Sequence, residues 1–309
     1  MRFTLGLVAS LIAIMAAPAA LAQAGPPCPT VTAPPAVVLP DFKSLPTTVR
    51  DTHERMTGVL WFQTAAEYQV DSLVKYRQAT AALDRALADP NWTAATEQTA
   101  APFPKPTAVI MDLDETVFDN SRFQGELVRR RSGYDDNVWN YWVSMESAGL
   151  VPGALQFIQY AQSKGVKVFF VTNRTKCQEE NTRNNLVKLG IQLPDPATLD
   201  TVLSRKEMPD WASDKSTRRA FVAKGYRILL LVGDDLGDFI SPTTPFTAPA
   251  PTPQDRTTLA EKYMDHWGTS WFLINNPLYG SWEAATYGND FQKPDAAVLT
   301  DKNALVKGF

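Results

Sequence analysis

Short apolar runs alternate with helix-like segments along the second half of the chain, and this alternation constrains the fold more than any other feature. Four runs favour β-strands: TAVIMDL (107–113), KVFFVTN (167–173), RILLLVGDD (227–235) and TSWFLINN (269–276). The runs are apolar throughout, as expected for parallel strands that are covered on both faces. Because helical segments separate them, the pattern predicts an open, doubly wound α/β sheet.

Helix signals fill the spaces between these runs. A helix is predicted from Pro152 to Lys164, with Gly165 as its expected C-cap, and two more are predicted over 178–189 and 214–224. In a sheet wound in this way, ligands bind beyond the carboxyl ends of the strands. Functional side chains are therefore expected at that edge.

Composition divides the chain before the first strand into three segments. Residues 1–22 combine an early positive charge, an apolar run of about 15 residues and Ala-Leu-Ala at 20–22, as in a cleaved secretory signal. That run is shorter than the roughly 20 residues of a membrane span. Residues 23–48 hold seven prolines and predict an extended, poorly ordered leader. Residues 49–105 are predicted to form an N-terminal helical segment, with a break near Gly58.

The signal-like segment predicts export, to the periplasm or as a secreted protein. Cys28 and Cys177 permit one disulfide, but a single pair carries no spacing information and the pairing is left open. A lipid anchor on Cys28 is not expected, because prolines precede it where lipoprotein processing needs small residues. A net charge of −3 offers no basic surface for a nucleic acid polymer.

Three carboxylates crowd the end of the first predicted strand. Asp112, Asp114 and Glu115 fall within four positions, where mutual repulsion makes ionisation costly. A positive group is therefore expected among them. The residues themselves leave open whether it is a bound cation or a cationic side chain.

The other strand ends add residues of matching chemistry. Thr172 and Asn173 end the second run, Asp234 ends the third, and Lys215 lies at a helix start. Oxygen ligands from two strand ends suit Mg²⁺, beside which one carboxylate could attack phosphorus and a neighbour act as general acid. Hydroxyl and ammonium donors would neutralise the phosphoryl oxygens. Taken singly, each residue has an ordinary structural interpretation, such as a capped turn or a surface lysine; their order along the chain favours phosphoryl transfer.

Two acidic segments, DLDETVFDN and LLLVGDDLGDF, resemble the signatures of the haloacid dehalogenase (HAD) superfamily, in the branch that contains bacterial class C acid phosphatases. This branch is also called the DDDD phosphohydrolases, and its best-known members are outer-membrane lipoproteins that act on nucleoside monophosphates. The similarity runs from about Leu60 to Gly288. It implies a HAD-like, Rossmannoid core over residues 106–309, with a small, mainly helical cap inserted at about 120–150 and an N-terminal helical extension.

The resemblance also implies roles for the acidic residues. Asp112 is expected to be the nucleophile that becomes an aspartyl phosphate, and Asp114 the acid/base that protonates the leaving group and then activates water. The side chains of Asp112 and Asp234 and the backbone carbonyl of Asp114 are the implied Mg²⁺ ligands. Asp238 matches the fourth aspartate, which holds metal-bound water or nearby backbone.

Phosphate binding is implied for residues on the neighbouring elements. Thr172 and Lys215 match the phosphate-binding hydroxyl and amine of the family, and Asn173 is expected to add a donor. The crowded carboxylates are then explained by Mg²⁺ and Lys215 together. Asp235 stands where the family usually has asparagine, which is expected to add charge close to the metal.

Roughly 50 residues separate the first two predicted strands, too many for a plain crossover, and they predict a cap over the catalytic edge. Aromatic rings stack on nucleobases with roughly 1–3 kcal/mol each. The resemblance implies such a stack, with Phe123, Trp139 and Tyr279 as the best-matched residues. The alternative is that these rings only pack the core.

The sequence thus predicts an exported, Mg²⁺-dependent acid phosphatase that forms an aspartyl phosphate on Asp112 and hydrolyses phosphomonoesters, with nucleoside 5′-monophosphates favoured. One alternative is a broad-specificity scavenging phosphatase for sugar and aryl phosphates. Another is a non-catalytic HAD-fold binding or storage protein, although such relatives tend to lose the nucleophile. The expected partner is a small-molecule phosphomonoester, without a stable membrane span, and a homodimer is left open.

Overall fold

The computed structural model describes residues 27–39, 53–101, 103–241 and 251–308. The predicted signal segment and residues 23–26 and 40–48 of the predicted leader lie outside the described residues. Val31–Phe309 form one compact unit. Of the other unit, Met1–Thr30, the structure describes the last four residues, which form no regular element.

Helices and strands alternate through most of this unit. The helices are α1 Met56–Thr64, α2 Ala66–Ala88, α3 Ser121–Arg130, α4 Asp136–Ser144, α5 Ala154–Ser163, α6 Glu179–Lys188, α7 Ser216–Gly225, α8 Pro253–Glu261, α9 Ser281–Ala284 and α10 Asp295–Leu305. The strands are β1 Thr107–Met111, β2 Phe118–Asp119, β3 Gly149–Leu150, β4 Lys167–Thr175, β5 Val202–Arg205, β6 Arg227–Gly233 and β7 Trp271–Leu273.

A five-stranded parallel sheet in the order β5-β4-β1-β6-β7 confirms the predicted α/β fold. The four predicted strands are present, and the sheet gains β5 at one edge. The run Val202–Arg205 is too short to give a clear strand signal, and its pairing with β4 is a tertiary contact. Strand β1 lies at the centre, so residues that follow it sit between the ends of β4 and β6.

Apolar residues on both faces of the sheet are covered, as the uniformly apolar strands predicted. On one face, Val109 and Met111 of β1 belong to a core cluster with residues of α2, α5 and α6. On the other face, Ala108 and Ile110 pack in a second cluster with α7 and α8. Alternate residues of one strand therefore anchor helices on opposite sides, which holds the strand end rigidly.

The N-terminal helical segment is split at Ala65, whose extended backbone separates α1 from α2. The prediction of a break near Gly58 was wrong, because Gly58 is inside α1 and lies against the side chain of Leu278. Helix α2 packs beneath the turn that follows β1, where the hydroxyl of Tyr76 donates to the carbonyl of Thr116 over 2.7 Å.

The segment predicted as a cap contains α3, α4 and the short antiparallel pair β2–β3. Part of the proline-rich leader contacts it: the Arg130 guanidinium at the end of α3 donates to the carbonyl of Pro35 over 2.8 Å. Residues 31–39 form no regular element, and this bond attaches Pro35 to the end of α3. Among the described residues, no helix is both long and apolar enough to cross a membrane.

Candidate active site

The acidic residues that follow β1 and β6 meet at the carboxyl edge of the sheet. Asp112, Asp234 and Asp238 each place a carboxylate oxygen within 4.8 Å of the others. Adjacent parallel pairing explains the meeting, since the backbone N–H of Asp112 donates to the carbonyl of Val232 in β6 over 2.9 Å. The predicted convergence of distant carboxylates is therefore present in the structure.

Lys215 supplies the cationic side chain expected among these carboxylates. It lies at the N-cap position of α7, is 6% exposed, and its ammonium donates to Asp112 and, over 2.6 Å, to Asp238. Burial alone would lower the pKa of Lys215, but the charges of Asp112 and Asp238 raise it above its ordinary value. The lysine therefore carries a positive charge at neutral pH.

Asp238 joins this cluster to the backbone. One carboxylate oxygen contacts Lys215, while the other accepts the backbone N–H groups of Asp234 and Asp235 over 3.0 and 2.9 Å. The carboxylate lies directly over Gly233, where a Cβ atom would approach it to 2.3 Å. Gly233 is thus required by close approach at the end of β6.

Negative charge exceeds positive charge within the cluster, which contains three carboxylates and one ammonium. Burial raises the pKa of Asp112 to about 7, with Asp238 and Asp114 adding to the rise and Lys215 opposing it. Burial and the neighbouring carboxylates also raise the pKa of Asp234 well above its ordinary value. Oxygen ligands with uncompensated charge are the donors that a divalent cation prefers, so Asp112, Asp234 and Asp238 fit such an ion.

Asp234 is held by a residue that the sequence analysis missed. The side-chain amide of Asn276, beyond β7, donates to an Asp234 oxygen over 2.8 Å. The only signal was its place at the end of the fourth predicted strand, where other functional residues also fall.

Asp114 has two further partners that the sequence analysis did not assign. Arg174, at the end of β4, donates from Nε and Nη2 to its carboxylate, and the amide of Asn120 donates to it over 2.9 Å. Arg174 directly follows the two β4 residues that were assigned to phosphate binding, so its position at the sheet edge was visible in the sequence. Its pairing with Asp114 was not.

The two predicted phosphate-binding residues of β4 differ in how many hydrogen bonds their side chains already make. The hydroxyl oxygen of buried Thr172 accepts the backbone N–H of Arg174 over 3.1 Å. The side chain of Asn173 is held at both ends: Arg218 donates to its oxygen over 2.8 Å, and its amide donates to the carbonyl of Ser213 over 3.1 Å. The Asn173 amide could donate to phosphate, as predicted, only in place of or beside its bond to the Ser213 carbonyl.

The three aromatic residues predicted to stack on a base lie around the same edge. Phe123 is 2% exposed and meets the half-buried Trp139 edge to face at 4.9 Å. The hydroxyl of Tyr279 donates to the buried carboxylate of Glu115. Trp139 also covers the guanidinium of Arg174 at 5.2 Å. Their stacking role stays a prediction.

Asp235 directly follows Asp234, and its carboxylate binds the two segments beside the cluster. Its oxygens accept the backbone N–H groups of Gly237 and Ser281 over 2.9 and 2.7 Å, and the Ser281 hydroxyl over 2.5 Å. The charge of Asp235 is nevertheless among those that raise the pKa of Asp234, so its expected effect on the metal site stays a prediction. The side chain also fastens the segment that carries Tyr279.

Comparison with known proteins places this geometry in context. The sequence profile of a family described as HAD superfamily, subfamily IIIB (acid phosphatase), matches residues 40–282. The solved class C acid phosphatase from Bacillus anthracis superposes with a TM-score of 0.70 at 31% identity, covering 83% of this chain and 98% of that one. Its structure with tungstate bound gives a TM-score of 0.71 at 30% identity, covering 84% and 100%.

Two plant proteins share lower similarity. Acid phosphatase 1 from Solanum lycopersicum is 29% identical over 132 residues, which cover 42% of this chain and 51% of that protein. The stem 28 kDa glycoprotein from Glycine max is 26% identical over 144 residues, covering 44% and 54%. The matched segments thus span about half the length of these curated relatives.

Proposed function

The chain belongs to the acid phosphatases of subfamily IIIB in the HAD superfamily, and from this we propose that it is a phosphomonoesterase that works through an aspartyl phosphate on Asp112. One observation carries the proposal. Asp112, Asp234 and Asp238, from two neighbouring strand ends, share a buried site with the ammonium of Lys215. This arrangement supplies a nucleophile together with the positive charge that a phosphoryl group needs.

In the first half of the reaction, an Asp112 oxygen forms a bond to phosphorus as the bond from phosphorus to the leaving oxygen breaks. Asp114 gives its proton to that oxygen, so the alcohol departs neutral. The Lys215 ammonium lies beside Asp112 and offsets charge on the phosphoryl oxygens. Thr172 has its hydroxyl oxygen held by the Arg174 backbone, which leaves the hydroxyl hydrogen to donate to the phosphoryl group.

In the second half, a water oxygen forms a bond to phosphorus and the bond to Asp112 breaks. Asp114, now a carboxylate, takes the proton from that water. Inorganic phosphate leaves, Asp112 is again a carboxylate and Asp114 is again protonated. The same two residues are thereby ready for the next substrate.

The metal proposed for this site is Mg²⁺. The side chains of Asp112 and Asp234 and the backbone carbonyl of Asp114 would hold it, while Asp238, bound to Lys215 and to the backbone N–H groups of Asp234 and Asp235, would support the site from behind. When bound, the ion supplies positive charge to the phosphoryl oxygens. The test is loss of phosphatase activity in a chelator and its recovery with Mg²⁺, compared with Ca²⁺ at equal concentration.

Nucleoside 5′-monophosphates are the proposed substrates. Support comes from the aromatic residues at the cap and beyond β7, with Trp139 half-buried beside Asp114's partner Arg174. A kcat/KM panel over nucleoside monophosphates, sugar phosphates and aryl phosphates tests this. A marked preference for nucleotides is expected, whereas equal values across the panel would favour a scavenging phosphatase.

Binding of a tetrahedral oxyanion gives an independent test of the phosphate site. The solved Bacillus anthracis relative has tungstate bound, and we expect tungstate to inhibit this protein in competition with substrate. The Lys215→Ala variant should lose this inhibition because it lacks the ammonium beside Asp112. Undiminished inhibition of that variant would argue against a phosphate site at Lys215.

Export is part of the same proposal and is supported by the signal-like composition of residues 1–22. Mass spectrometry of the protein recovered outside the cytoplasm should give a chain that begins at Gln23. A mass that retains the first 22 residues, or carries a lipid on Cys28, would contradict it.

A further inference from the structure

Arg174 and Asn120 hold one oxygen of the proposed acid/base from two sides. Oδ1 of Asp114 accepts Arg174 Nη2 over 2.8 Å, Arg174 Nε over 3.0 Å and the Asn120 amide over 2.9 Å. Three N–H donors around one carboxyl oxygen leave no place there for a proton. In the protonated acid, Oδ1 must therefore be the carbonyl oxygen.

The other oxygen of Asp114 is almost free. Among the residues that the structure describes, Oδ2 accepts only a longer bond from Arg174 Nε, at 3.3 Å. The Asp114 side chain is 19% exposed and is therefore not closed off from solvent. Oδ2 is thus the oxygen that can carry a proton and exchange it with a substrate or a water.

The rest of Arg174 is fixed by its surroundings. The side chain is 1% exposed, and its guanidinium carbon lies 4.5 Å from the centre of the Phe118 ring and 5.2 Å from that of Trp139. Nη1 donates to the hydroxyl of Thr182 over 3.3 Å. Because Nε and Nη2 both donate to Asp114 and the side chain is almost fully buried, Arg174 is placed to orient this carboxylate.

We propose that Arg174 is a positioning residue that fixes Asp114 with Oδ2 toward the leaving group, so that this oxygen alone gives and takes the proton. The inference rests on the proposed phosphatase activity and deepens it. It assigns no contact between Arg174 and the phosphoryl group. Loss of Arg174 should therefore impair proton delivery and leave phosphate binding intact.

Leaving-group dependence tests this assignment. A nitrophenolate departs without a proton, whereas an alkoxide needs one, and general acid catalysis is worth about 10²–10⁴-fold. We expect Arg174→Gln to lower kcat/KM by about 100-fold for glycerol 2-phosphate and by less than about tenfold for p-nitrophenyl phosphate. The ratio kcat/KM is used because it reports the first half of the reaction, in which the leaving group departs.

Two further measurements separate positioning from substrate contact. The inhibition constant of inorganic phosphate should stay within about threefold of wild type in Arg174→Gln. The Asp114→Asn, Arg174→Gln double variant should be no slower with glycerol 2-phosphate than Asp114→Asn alone, because Arg174 acts through Asp114. Equal losses with both substrates, weaker phosphate binding, or additive losses would each overturn the assignment.

Arg183 offers a matched control. It is also an arginine paired with carboxylates, Glu179 over 3.0 Å and Asp200, and it makes no contact with Asp114. Arg183→Gln should change kcat/KM by less than about threefold, equally for both substrates. A selective loss with glycerol 2-phosphate in this variant would show that the pattern does not depend on Asp114.

Arg174→Lys tests the same assignment if Arg174→Gln does not fold. It keeps a buried positive charge but lacks the two-pronged contact, so we expect the same selectivity for leaving group with a melting temperature closer to wild type. Full activity of Arg174→Lys on glycerol 2-phosphate would contradict a role in orientation. If wild type hydrolyses neither substrate, the proposed function fails; if it hydrolyses both and the variants lose equally, only this inference fails.

Discussion

Four ionisable side chains, three acidic and one basic, meet where β1 and β6 end, and each one sets the state of the others. The ammonium of Lys215 donates to both Asp112 and Asp238, and the side-chain amide of Asn276 donates to Asp234. Such a buried group of charges is costly to assemble and is sensitive to the loss of any member. Substitutions in it should therefore keep the size of the side chain, and folding should be measured beside activity.

Asp112→Asn removes the proposed nucleophile while keeping its size. Turnover should fall by at least about 10³-fold, because an amide cannot form the aspartyl phosphate. The far-ultraviolet circular dichroism spectrum should be unchanged, since β1 and its packing do not depend on the charge. Trapping of ³²P-phosphate on wild type but not on the variant checks the covalent step, and appreciable turnover by Asp112→Asn would refute it.

Trp139→Ala tests whether the cap recognises a base. The stacking proposal predicts a rise in KM for AMP of about 10-fold, since one stacking contact is worth roughly 1–3 kcal/mol, and little change for p-nitrophenyl phosphate. Phe291, an aromatic residue that is 75% exposed, gives a control through Phe291→Ala, which should leave KM for both substrates unchanged. Parallel changes in KM for both substrates in Trp139→Ala would leave only a packing role for the ring.

At the scale of elements, the cap is fastened to the sheet through α6. Glu146, just beyond α4, has a left-handed backbone with φ 49° and accepts bonds from three residues of α6. Asn181, Asn184 and Lys188 donate to it over 3.0, 2.9 and 2.5 Å. One carboxylate thereby ties the insertion to a helix that packs on the sheet.

Glu146→Gln should weaken this connection in a pH-dependent way. The bonds from Lys188, Asn184 and Asn181 lower the pKa of Glu146 to about 2 from 4.5. Its contribution to stability is therefore complete above pH 4.5, declines as pH falls, and is lost as pH passes through about 2. At pH 7 the variant should lose roughly 0.5–1 kcal/mol in the free energy of unfolding.

Urea unfolding of the wild type and Glu146→Gln at pH 7 and at pH 3.5 measures the loss in the free energy of unfolding, which should be smaller at the lower pH. Glu126→Gln is the matched control, because Glu126 pairs with Arg130 inside α3 and does not join the cap to α6. A loss for Glu146→Gln that is constant across pH would mean that its ionised form is not what α6 recognises.

At the scale of the whole molecule, segments far apart in the chain all reach the catalytic edge. Helix α2 contributes Tyr76 under the turn after β1, the cap contributes Asn120, and the segment after β7 contributes Asn276 and Tyr279. Binding at this edge should therefore stabilise the fold as a unit.

Mg²⁺ should raise the melting temperature of the wild-type protein. Saturation at 100 times the dissociation constant adds about 2.7 kcal/mol, or several degrees for a domain of this size at roughly 2–4 °C per kcal/mol. Asp234→Asn should respond much less, because it loses a charged ligand of the cluster. Differential scanning fluorimetry with and without Mg²⁺ makes the comparison, and equal shifts in the two proteins would exclude Asp234 as a ligand.

The sequence by itself determined the parallel sheet and the chemistry at its edge. Runs of apolar residues and the acids that end them are local patterns, and the carboxyl ends of adjacent parallel strands must lie together. The meeting of Asp112 with Asp234 followed from those two facts. The short edge strand β5 and the break at Ala65 did not, because each depends on what the segment packs against.

Only the tertiary structure decided how the site residues are held. Arg174 reaches Asp114 across 60 positions, Asn276 reaches Asp234 across 42, and Tyr279 reaches Glu115 across 164. These contacts depend on side-chain direction after the helices have packed on both faces of the sheet, and no local spacing encodes that direction. The same packing brought Ser281 to the carboxylate of Asp235.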